Sequence, residues 1–482
     1  RIQVQNYTAA EDLLNRLNAK DLDMELTAVH ADYLQEFLRE YSVNARKAGS
    51  AGINLETNLV RERNKDDRGA NHLIKSWPKG TGTPAARIQD LLADLGFRVK
   101  QVQPETPIHG KDHYQVYLSR ESEGGQRSDY KHPVSVFGSE AESSGFRLVN
   151  IFGRMDASRL IDTFREIGDA KNTLILLDYA LTLADRRELA RRTKAEFHEK
   201  TFAVIDRVVL VYLASHYSET AVNRMLMSVI MPFAACRLYQ PNSSQAMPPE
   251  LFIGRKSDLE KIKAPNGVNI VYGGRQLGKT ALLRKAQKDI DRDENGDRAV
   301  WIDIKFKDYR EAARKISAAL YDEGILKTEH ITDNWDELAR DIKNRLRDTR
   351  DPIPYLLLLL DEADAFIESC GAVKFQPFDA LKDIQGVGAN RFKFVVAGLH
   401  NVVRFQRDLA ISDNVSLTHL SALTVTPFKY KEARELLEVP LSYLGFRFPD
   451  NEETARLVST IFTTTNYFPG LLQLYCSKLI ES

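Results

Sequence analysis

Four residues near the middle of the chain have the types and spacing of a loop that binds phosphate groups. Gly273, Gly278, Lys279 and Thr280 satisfy the pattern G-x4-G-K-[ST]. Glycine lets the backbone wrap phosphates closely, the lysine places a positive charge between the β- and γ-phosphates, and the threonine hydroxyl is a ligand for Mg2+. The pattern therefore predicts a nucleoside triphosphate site, with Lys279 as a binding and catalytic residue and Thr280 as a magnesium ligand.

A strand must lead into such a loop and a helix must leave it, and the sequence supplies both. The apolar run Ile270–Tyr272 predicts the strand, and Ala281–Leu283 opens the helix. The free N–H groups and the positive dipole end of that helix would face the phosphates. The other residues expected to bind phosphate through the backbone are Gly274, Arg275, Gln276, Leu277 and Ala281.

Two carboxylates follow the most apolar strand of the chain. The run Tyr355–Leu360 contains five consecutive leucines, which predict a buried central strand, and it leads directly into Asp361 and Glu362. We expect Asp361 to hold Mg2+ and Glu362 to polarise the attacking water.

Polar residues after the next predicted strand, Phe392–Ala397, are candidates for sensing the γ-phosphate. We favour Asn401 over His400 for this role, with an ordinary loop residue as the alternative. Arg404 follows on a short predicted helix and is a candidate arginine finger that reaches the γ-phosphate of a neighbouring subunit. A surface charge is the alternative interpretation of Arg404.

The composition narrows the class of protein. The chain has 482 residues, with 67 basic and 67 acidic side chains, so its charge does not indicate a nucleic-acid partner, although one remains possible. Its three cysteines form no C-x-x-C pair, which fits a cytoplasmic protein without a disulfide framework. The longest apolar run is too short to span a bilayer, so no membrane partner is expected.

Composition and periodicity also predict where the domains begin and end. The expected parts are a helical N-terminal region (1–80), a helix plus β-hairpin module (81–130), a small α/β domain (131–245), the phosphate-loop domain (250–428) and a helical lid (429–482), which we expect to be truncated. The segment Tyr239–Pro249 is rich in Pro, Ser, Asn and Gln and indicates the clearest linker.

The helix plus hairpin has two interpretations, a winged-helix wing or the opening of a restriction-endonuclease-like fold. A nuclease would need an acidic residue on the second strand and E-x-K on the next, but Tyr114–Leu118 is neutral. We therefore favour a structural or partner-binding role. Asp178 and Asp206 end predicted strands of the small α/β domain, where ligands often bind. A carboxylate that faces water or an arginine is the simpler interpretation of both.

Several separated motifs resemble one branch of the phosphate-loop NTPases. Phe252–Leu259 looks like the "F-x-GR-x-x-E-L" segment of the AAA+-related branch, which includes STAND ATPases, archaeal ATPases and origin-recognition-like initiators. The loop YGGRQLGKTALL and the closing stretch from Leu423 to Phe446 resemble the STAND and archaeal ATPase form. The resemblance covers about 250–482.

This resemblance implies a fold and further site residues. The fold is a five-stranded parallel sheet in the order 5-1-4-3-2 followed by a helical lid. Ile253, Gly254 and Arg255 would lie against the adenine and ribose of ATP. Pro469 matches the proline of the Gly-x-Pro that touches the nucleotide in STAND proteins, whereas the preceding glycine is absent.

The resemblance also implies a function, an ATP-driven molecular switch of STAND type with Mg2+ as cofactor. Such a switch would form homo-oligomers on activation, respond to a trigger protein or drive an effector, and serve in bacterial defence against phage. The alternative is an ATP-dependent initiator or loader that grips DNA. That interpretation would need a basic surface on the candidate wing, whose first strand offers Arg98 and Lys100.

Overall fold

The protein is seen here as a computed structural model. It describes residues 34–35, 37–41, 60, 63–64, 68–119, 134–168, 170–196, 200–234, 238–239, 247–291, 295–386, 390–399, 420–444 and 446–481. The predicted roles of Asn401 and Arg404 fall outside the described residues.

The N-terminal half contains a mixed five-stranded sheet in the order β1-β2-β3-β4-β5. Strands β1, β2 and β3 are antiparallel, and β3, β4 and β5 are parallel. The elements are α1 (Arg68–Ser76), α2 (Ala85–Asp94), β1 (Val99–Ile108), β2 (Lys111–Leu118), α3 (Ser139–Ser143), β3 (Phe146–Ile151), α4 (Ala157–Ile167), β4 (Thr173–Leu177), α5 (Leu183–Glu196), β5 (Phe202–Ile205), α6 (Arg207–Ser215) and α7 (Val222–Ile230).

The hairpin β1–β2 belongs to this sheet, whereas the sequence pattern separated it from the α/β strands at residue 130. The register joins Asp112 to Asn150 and Val116 to Phe146 along β2 and β3. The sequence between β2 and β3 carries no local signal of this pairing, which joins the hairpin to the α/β strands in one sheet. Within the described residues β1 pairs only with β2, so it forms an edge of the sheet.

The second sheet has five parallel strands in the order β10-β6-β9-β8-β7. Counted along this domain alone, the order is 5-1-4-3-2. The elements are α8 (Lys256–Lys263), β6 (Ile270–Tyr272), α9 (Lys279–Ile290), β7 (Arg298–Asp303), α10 (Tyr309–Asp322), α11 (Trp335–Arg347), β8 (Leu356–Asp361), α12 (Asp364–Cys370), α13 (Gln376–Gly386), β9 (Phe392–Gly398) and β10 (Ala422–Thr424). Helices cover both faces, which is why the leucine strand β8 is buried throughout.

Three further helices, α14 (Tyr430–Ser442), α15 (Glu452–Thr465) and α16 (Pro469–Glu481), occupy the region that was predicted as a lid and are called the lid helices here. Their apolar side chains share one continuous core with the N-terminal half of the chain. In this core Leu226 and Met231 from the N-terminal half lie in the same cluster as Leu437, Phe462 and Leu472 from the lid. The lid helices and the N-terminal half are therefore packed as one unit.

Tyr239 joins the end of the N-terminal half to the lid helix α14, although the sequence pattern placed it in a linker. It is buried, and its hydroxyl donates to the carbonyl oxygens of Leu436 at 3.0 Å and Leu437 at 3.2 Å. Pro440 lies inside α14 and has no N–H for the carbonyl of Leu436 four residues earlier. The Tyr239 hydroxyl takes the place of the missing helical donor.

The two strand-end aspartates of the N-terminal sheet have structural partners. Asp206 is fully buried, forms an ion pair with Arg186, and accepts the backbone N–H of Val209 at 3.0 Å as the N-cap of α6. Asp178 accepts the backbone N–H of Gly153 at 3.0 Å. The simpler interpretation of both residues is confirmed.

Candidate functional site

The loop between β6 and α9 is shaped so that only glycine fits at two of its positions. A Cβ on Gly273 would lie 2.6 Å from the carbonyl oxygen of Val425, which follows β10. Gly278 has φ +89°, in the left-handed region that favours glycine. The helix α9 begins at Lys279, so its first N–H groups face the loop. The loop and the first turn of α9 therefore offer backbone N–H groups to which phosphate groups can bind.

The side chains of the loop divide between the core and the surface. The Leu277 side chain is buried in the core on the α9 face of the sheet, so Leu277 can meet a ligand only through its backbone. Arg275 is exposed, and Gln276 is partly exposed with φ +61°. The structure therefore brings Gly274, Arg275, Gln276, Leu277 and Ala281 together at the start of α9, as the sequence pattern expects.

Lys279 is largely buried and already engaged with the loop. Its Nζ donates to the carbonyl oxygens of Gly273 at 2.9 Å and Gly274 at 3.0 Å. An ammonium has three N–H donors, so one remains for a phosphate oxygen. Burial lowers the pKa of Lys279, and the nearby carboxylates of Glu362 and Asp361 oppose this by favouring the charged form.

Asp361 lies at the end of β8 with both carboxylate oxygens engaged. One oxygen accepts the backbone N–H of Glu362 at 3.0 Å, and the other accepts the indole Nε1–H of Trp301 at 3.3 Å. The hydroxyl of Thr280 lies near this carboxylate. Burial raises the pKa of Asp361, while these hydrogen bonds and the charge of Lys279 hold it down.

Thr280 and Asp361, the two predicted magnesium ligands, are therefore neighbours in the structure. No group of three or more His, Cys, Asp or Glu side chains among the described residues could hold a metal ion. Thr280 and Asp361 offer oxygen donors of the kind that Mg2+ prefers, and the other ligands would be phosphate oxygens and water. The donor set fits a magnesium ion that binds together with a nucleotide.

Glu362 has φ +52°, an uncommon conformation for a side chain of this size. Such conformations persist where the surrounding structure enforces them, often at functional sites. Here β8 ends at Asp361, and the next residues are anchored to β9. The Ala363 N–H donates to the Ala397 carbonyl at 2.9 Å, and the Asp364 carboxylate accepts the Leu399 N–H at 3.0 Å.

The residues predicted to contact adenine and ribose lie between the phosphate-loop domain and the lid. Ile253 is buried in the core shared by the lid and the N-terminal half. The Arg255 guanidinium donates to the carbonyl oxygens of Leu277 at 3.1 Å and Thr426 at 2.5 Å, and it lies 5.3 Å from the ring centre of Phe428. Arg255 thus braces the loop, and a nucleotide contact by it stays a prediction.

Gly254 lies directly against the lid. A Cβ at this position would be 2.5 Å from the Oε1 atom of Glu432 in the first turn of α14, and φ at Gly254 is +67°. The other carboxylate oxygen of Glu432 accepts the backbone N–H of Lys429 at 2.8 Å, which holds the Glu432 side chain in place. Both features explain why glycine occupies the position.

The start of α16 meets the phosphate loop at Pro469 and Gly470. The Pro469 Cγ atom lies 3.9 Å from the position of a Cβ on Gly278, and the Gly470 N–H donates to the Gln276 carbonyl at 3.0 Å. Tyr467, two residues before Pro469 at the position of the missing glycine, has φ +58°, in the left-handed region that favours glycine. The structure therefore brings Pro469 to the loop, as the resemblance implied.

Trp301, Arg284 and Gly470 lie at or beside the site, but the sequence did not predict a role for them there. A tryptophan in a strand and an arginine in a helix carry no local sign of a partner in a distant segment. Only the strand order, which sets β7 beside β8, brings Trp301 to Asp361.

Arg255 also lines a cleft of about 1190 Å³ that does not extend over the phosphate loop. It is lined by residues of the N-terminal sheet, the segment before α8 and the start of α14, including Arg98, Glu250, Lys256 and Glu432. Because its charges are mixed and no residue from Gly273 to Thr280 lines it, the cleft does not change the assignment of the site.

A scan against protein-family models finds no match, and a search of curated proteins finds no relative. Solved structures with some likeness include the Aeropyrum pernix ORC2 protein in its ADPNP–ADP complexes, at 16% identity and a TM-score of 0.35 over 49% of this chain. The match covers 64% of ORC2, less than two thirds of that protein. Domain III of the Thermotoga maritima replication initiation protein DnaA matches at 16% identity and a TM-score of 0.30, over 47% of this chain and 87% of that domain.

Both TM-scores are too low to add to what the strand order and the site geometry show. In the part of the chain that the structure describes, no helix has the length and apolar character needed to cross a membrane.

Proposed function

We propose that this chain is a switch that binds and hydrolyses ATP, with the phosphate loop, Asp361 and Glu362 as its active site. The observation that carries the proposal is the placement of Thr280 near Asp361 at the end of a loop that requires glycine at positions 273 and 278. ATP rather than GTP is proposed because no N-K-x-D motif for reading guanine follows the phosphate loop, and the one match to that pattern, at 64–67, precedes it by about two hundred residues.

In this proposal each residue has a distinct role. The backbone N–H groups of the loop and of the first turn of α9 bind the phosphates. Mg2+, held by Thr280 and Asp361, would neutralise charge that develops on the transferred group. Lys279 keeps its charge next to the β- and γ-phosphates, and Glu362 orients a water molecule and accepts its proton. Asn401 and Arg404 stay candidates for a γ-phosphate sensor and an arginine finger.

The switch would act through the lid. Gly470 bonds to the phosphate loop, and Gly254 lies against Glu432, so two contacts join the nucleotide site to the lid helices. The lid helices share their core with the N-terminal half. A change in the loop on binding or hydrolysis would therefore move the lid and the N-terminal half together.

We further propose that the switch is of the STAND type. ATP would promote assembly of a homo-oligomer that engages a trigger or effector protein in the cytoplasm, in the setting of bacterial defence against phage. The resemblance of residues 250–482 to that group supports this proposal.

The experiment that tests the proposal measures particle mass by light scattering for the Glu362→Gln protein with Mg-ATP and with Mg-ADP. This variant should bind ATP without hydrolysing it. Glu368→Gln, the same change at an exposed site on α12, is the matched control.

A discrete larger assembly of Glu362→Gln with ATP alone would support the switch. A protein that binds ATP tightly and stays monomeric in both states would contradict assembly. DNA binding that weakens with salt and is lost on neutralising Arg98 and Lys100 would then favour the initiator or loader. Absence of ATP binding would overturn the proposal as a whole.

A further inference from the structure

Trp301 links strand β7 to the carboxylate at the end of β8. Its indole Nε1–H donates to Oδ2 of Asp361 at 3.3 Å. In the parallel register Trp301 pairs with Leu359 and Asp303 pairs with Asp361. Residues of one strand that are two positions apart share a face, so Trp301 lies on the same face of the sheet as Asp361. That face is covered by α9, the helix that follows the phosphate loop.

The other neighbour of Trp301 comes from α9 itself. The guanidinium carbon of Arg284 lies 3.4 Å from the centre of the indole ring, which is contact distance for stacked planes. Arg284 is one helical turn beyond Thr280, so the two side chains project toward the same sheet edge. The indole is therefore held by a stacked arginine on its face and by Asp361 at its N–H.

The hydrogen bonds around Asp361 restrict it to one orientation. A carboxylate has two oxygens with about four sites for hydrogen bonds or metal. The Trp301 indole and the Glu362 backbone use two of them, and the Thr280 hydroxyl lies near the same carboxylate. Without the indole N–H, the side chain of Asp361 would gain rotational freedom at the point where it has to meet Mg2+.

A second tryptophan of the same domain satisfies its indole N–H in a different way. Trp335 satisfies its Nε1–H with the backbone carbonyl of Tyr309, at 2.7 Å and away from Asp361. Trp301 instead uses the carboxylate that is expected to hold the metal, and it is only partly buried.

We propose that Trp301 is a positioning residue that holds Asp361 in the orientation needed for Mg2+, and that Arg284 holds the indole in place. This inference rests on the proposed function, because it assumes that the site binds Mg-ATP. It adds strand β7 to the nucleotide site, to which no sequence motif had assigned it.

The test uses Trp301→Phe, which keeps an aromatic face for Arg284 and removes the N–H donor. ATP affinity is measured by calorimetry over a range of Mg2+ concentrations and in EDTA. We expect the Mg2+ concentration that gives half of the full affinity to rise about tenfold, because a hydrogen bond to a charged group is lost. Affinity for ATP in EDTA should stay within about twofold of the wild type, because no phosphate contact changes.

Trp335→Phe is the matched control, since it removes an indole N–H in the same domain at a distance from Asp361. It should leave the Mg2+ dependence unchanged. Arg284→Gln keeps the indole and removes the stacked cation, so it should shift the Mg2+ dependence in the same direction by a smaller factor. This second variant tests the same inference if Trp301→Phe does not fold.

An unchanged Mg2+ dependence in Trp301→Phe, or an equal loss of affinity with and without Mg2+, would overturn the inference while leaving the ATP site intact. Failure of the wild-type protein to bind ATP more tightly with Mg2+ would instead overturn the proposed function, and the inference with it. The wild-type and variant measurements therefore separate the two failures.

Discussion

The backbone N–H of Gly470 donates to the carbonyl oxygen of Gln276 at 3.0 Å, and this bond joins the first turn of the last helix to the phosphate loop. The approach is close, since a Cβ on Gly470 would lie 2.9 Å from the Gln276 Cβ atom. A nucleotide in the loop would therefore be sensed by α16 directly, through the backbone.

Replacing Gly470 by alanine should separate the loop from the lid. The added methyl group would press on the Gln276 Cβ and carbonyl rather than on a flexible side-chain end, so the helix or the loop must shift. We expect ATP affinity to fall by about 1–2 kcal/mol, roughly tenfold, as measured by calorimetry. Gly386→Ala is the control, because an added Cβ there meets nothing within 4 Å. Equal affinities for the two variants would contradict a tight contact.

Replacing Gly254 by alanine should weaken the contact between the phosphate-loop domain and α14. The cost combines the left-handed backbone, about 1–2 kcal/mol, with displacement of the Glu432 side chain. Gly153→Ala is the control, since φ there is +84° and no atom lies within 4 Å of the added Cβ. Denaturant unfolding should show a larger loss for Gly254→Ala. Adding Glu432→Ala to it should recover the excess and leave the backbone cost.

Replacing Tyr239 by phenylalanine should leave the Leu436 carbonyl without the donor that replaces the missing N–H of Pro440. A buried unpaired acceptor costs about 1–3 kcal/mol, so the free energy of unfolding should fall by that amount. Pro440→Ala supplies the missing N–H and should recover part of the loss in the double variant. Purely additive effects of the two substitutions in a double-mutant cycle would show that the hydroxyl and the proline are not coupled.

Acid should destabilise the N-terminal sheet through His113. This side chain is 1% exposed, and neither ring nitrogen has a partner among the described residues. Burial lowers the pKa of His113 to about 4, and the nearby charge of Arg147 acts in the same direction. An unfolded histidine takes up its proton near pH 6.5, so between about pH 6.5 and 4 the unfolded state binds more protons.

The free energy of unfolding should therefore fall as the pH is lowered through this window, by up to about 3 kcal/mol from His113 alone. Denaturant titrations at several pH values would measure it. His113→Leu should flatten the dependence between pH 6.5 and 4. A slope that persists unchanged in this variant would show that other groups cause it.

The sequence predicts the phosphate loop and the magnesium carboxylate because their chemistry requires particular residue types at fixed local spacing. It predicts the leucine strand because a strand that is buried on both faces is apolar throughout. The order of the second sheet was implied by family resemblance rather than by local pattern. Local pattern also predicted a small α/β domain over 131–245, where the structure has β3, β4 and β5. It placed a boundary at residue 130, where the alternation of strands and helices was expected to begin, because it carries no signal for the pairing of β2 with β3.

The contacts missed from the sequence join residues far apart in the chain. The Tyr239 hydroxyl bonds to the carbonyl of Leu436, nearly two hundred residues away. That carbonyl lacks its usual helical donor because residue 440 is a proline. Trp301 reaches Asp361 only because β7 and β8 are neighbours. Each depends on the tertiary structure, and a single sequence carries no signal for such pairs.

The shared core has a consequence for how this protein is made. The chain leaves the N-terminal half near Leu251, builds the whole phosphate-loop domain, and returns to the first core at Phe428. During synthesis the apolar faces of α6 and α7 therefore emerge from the ribosome long before α14–α16, which cover them. The phosphate-loop domain can complete its own sheet in the meantime, since its last strand ends at Thr424. We expect the nascent N-terminal half to be the part that needs chaperone protection until α14–α16 have been synthesised.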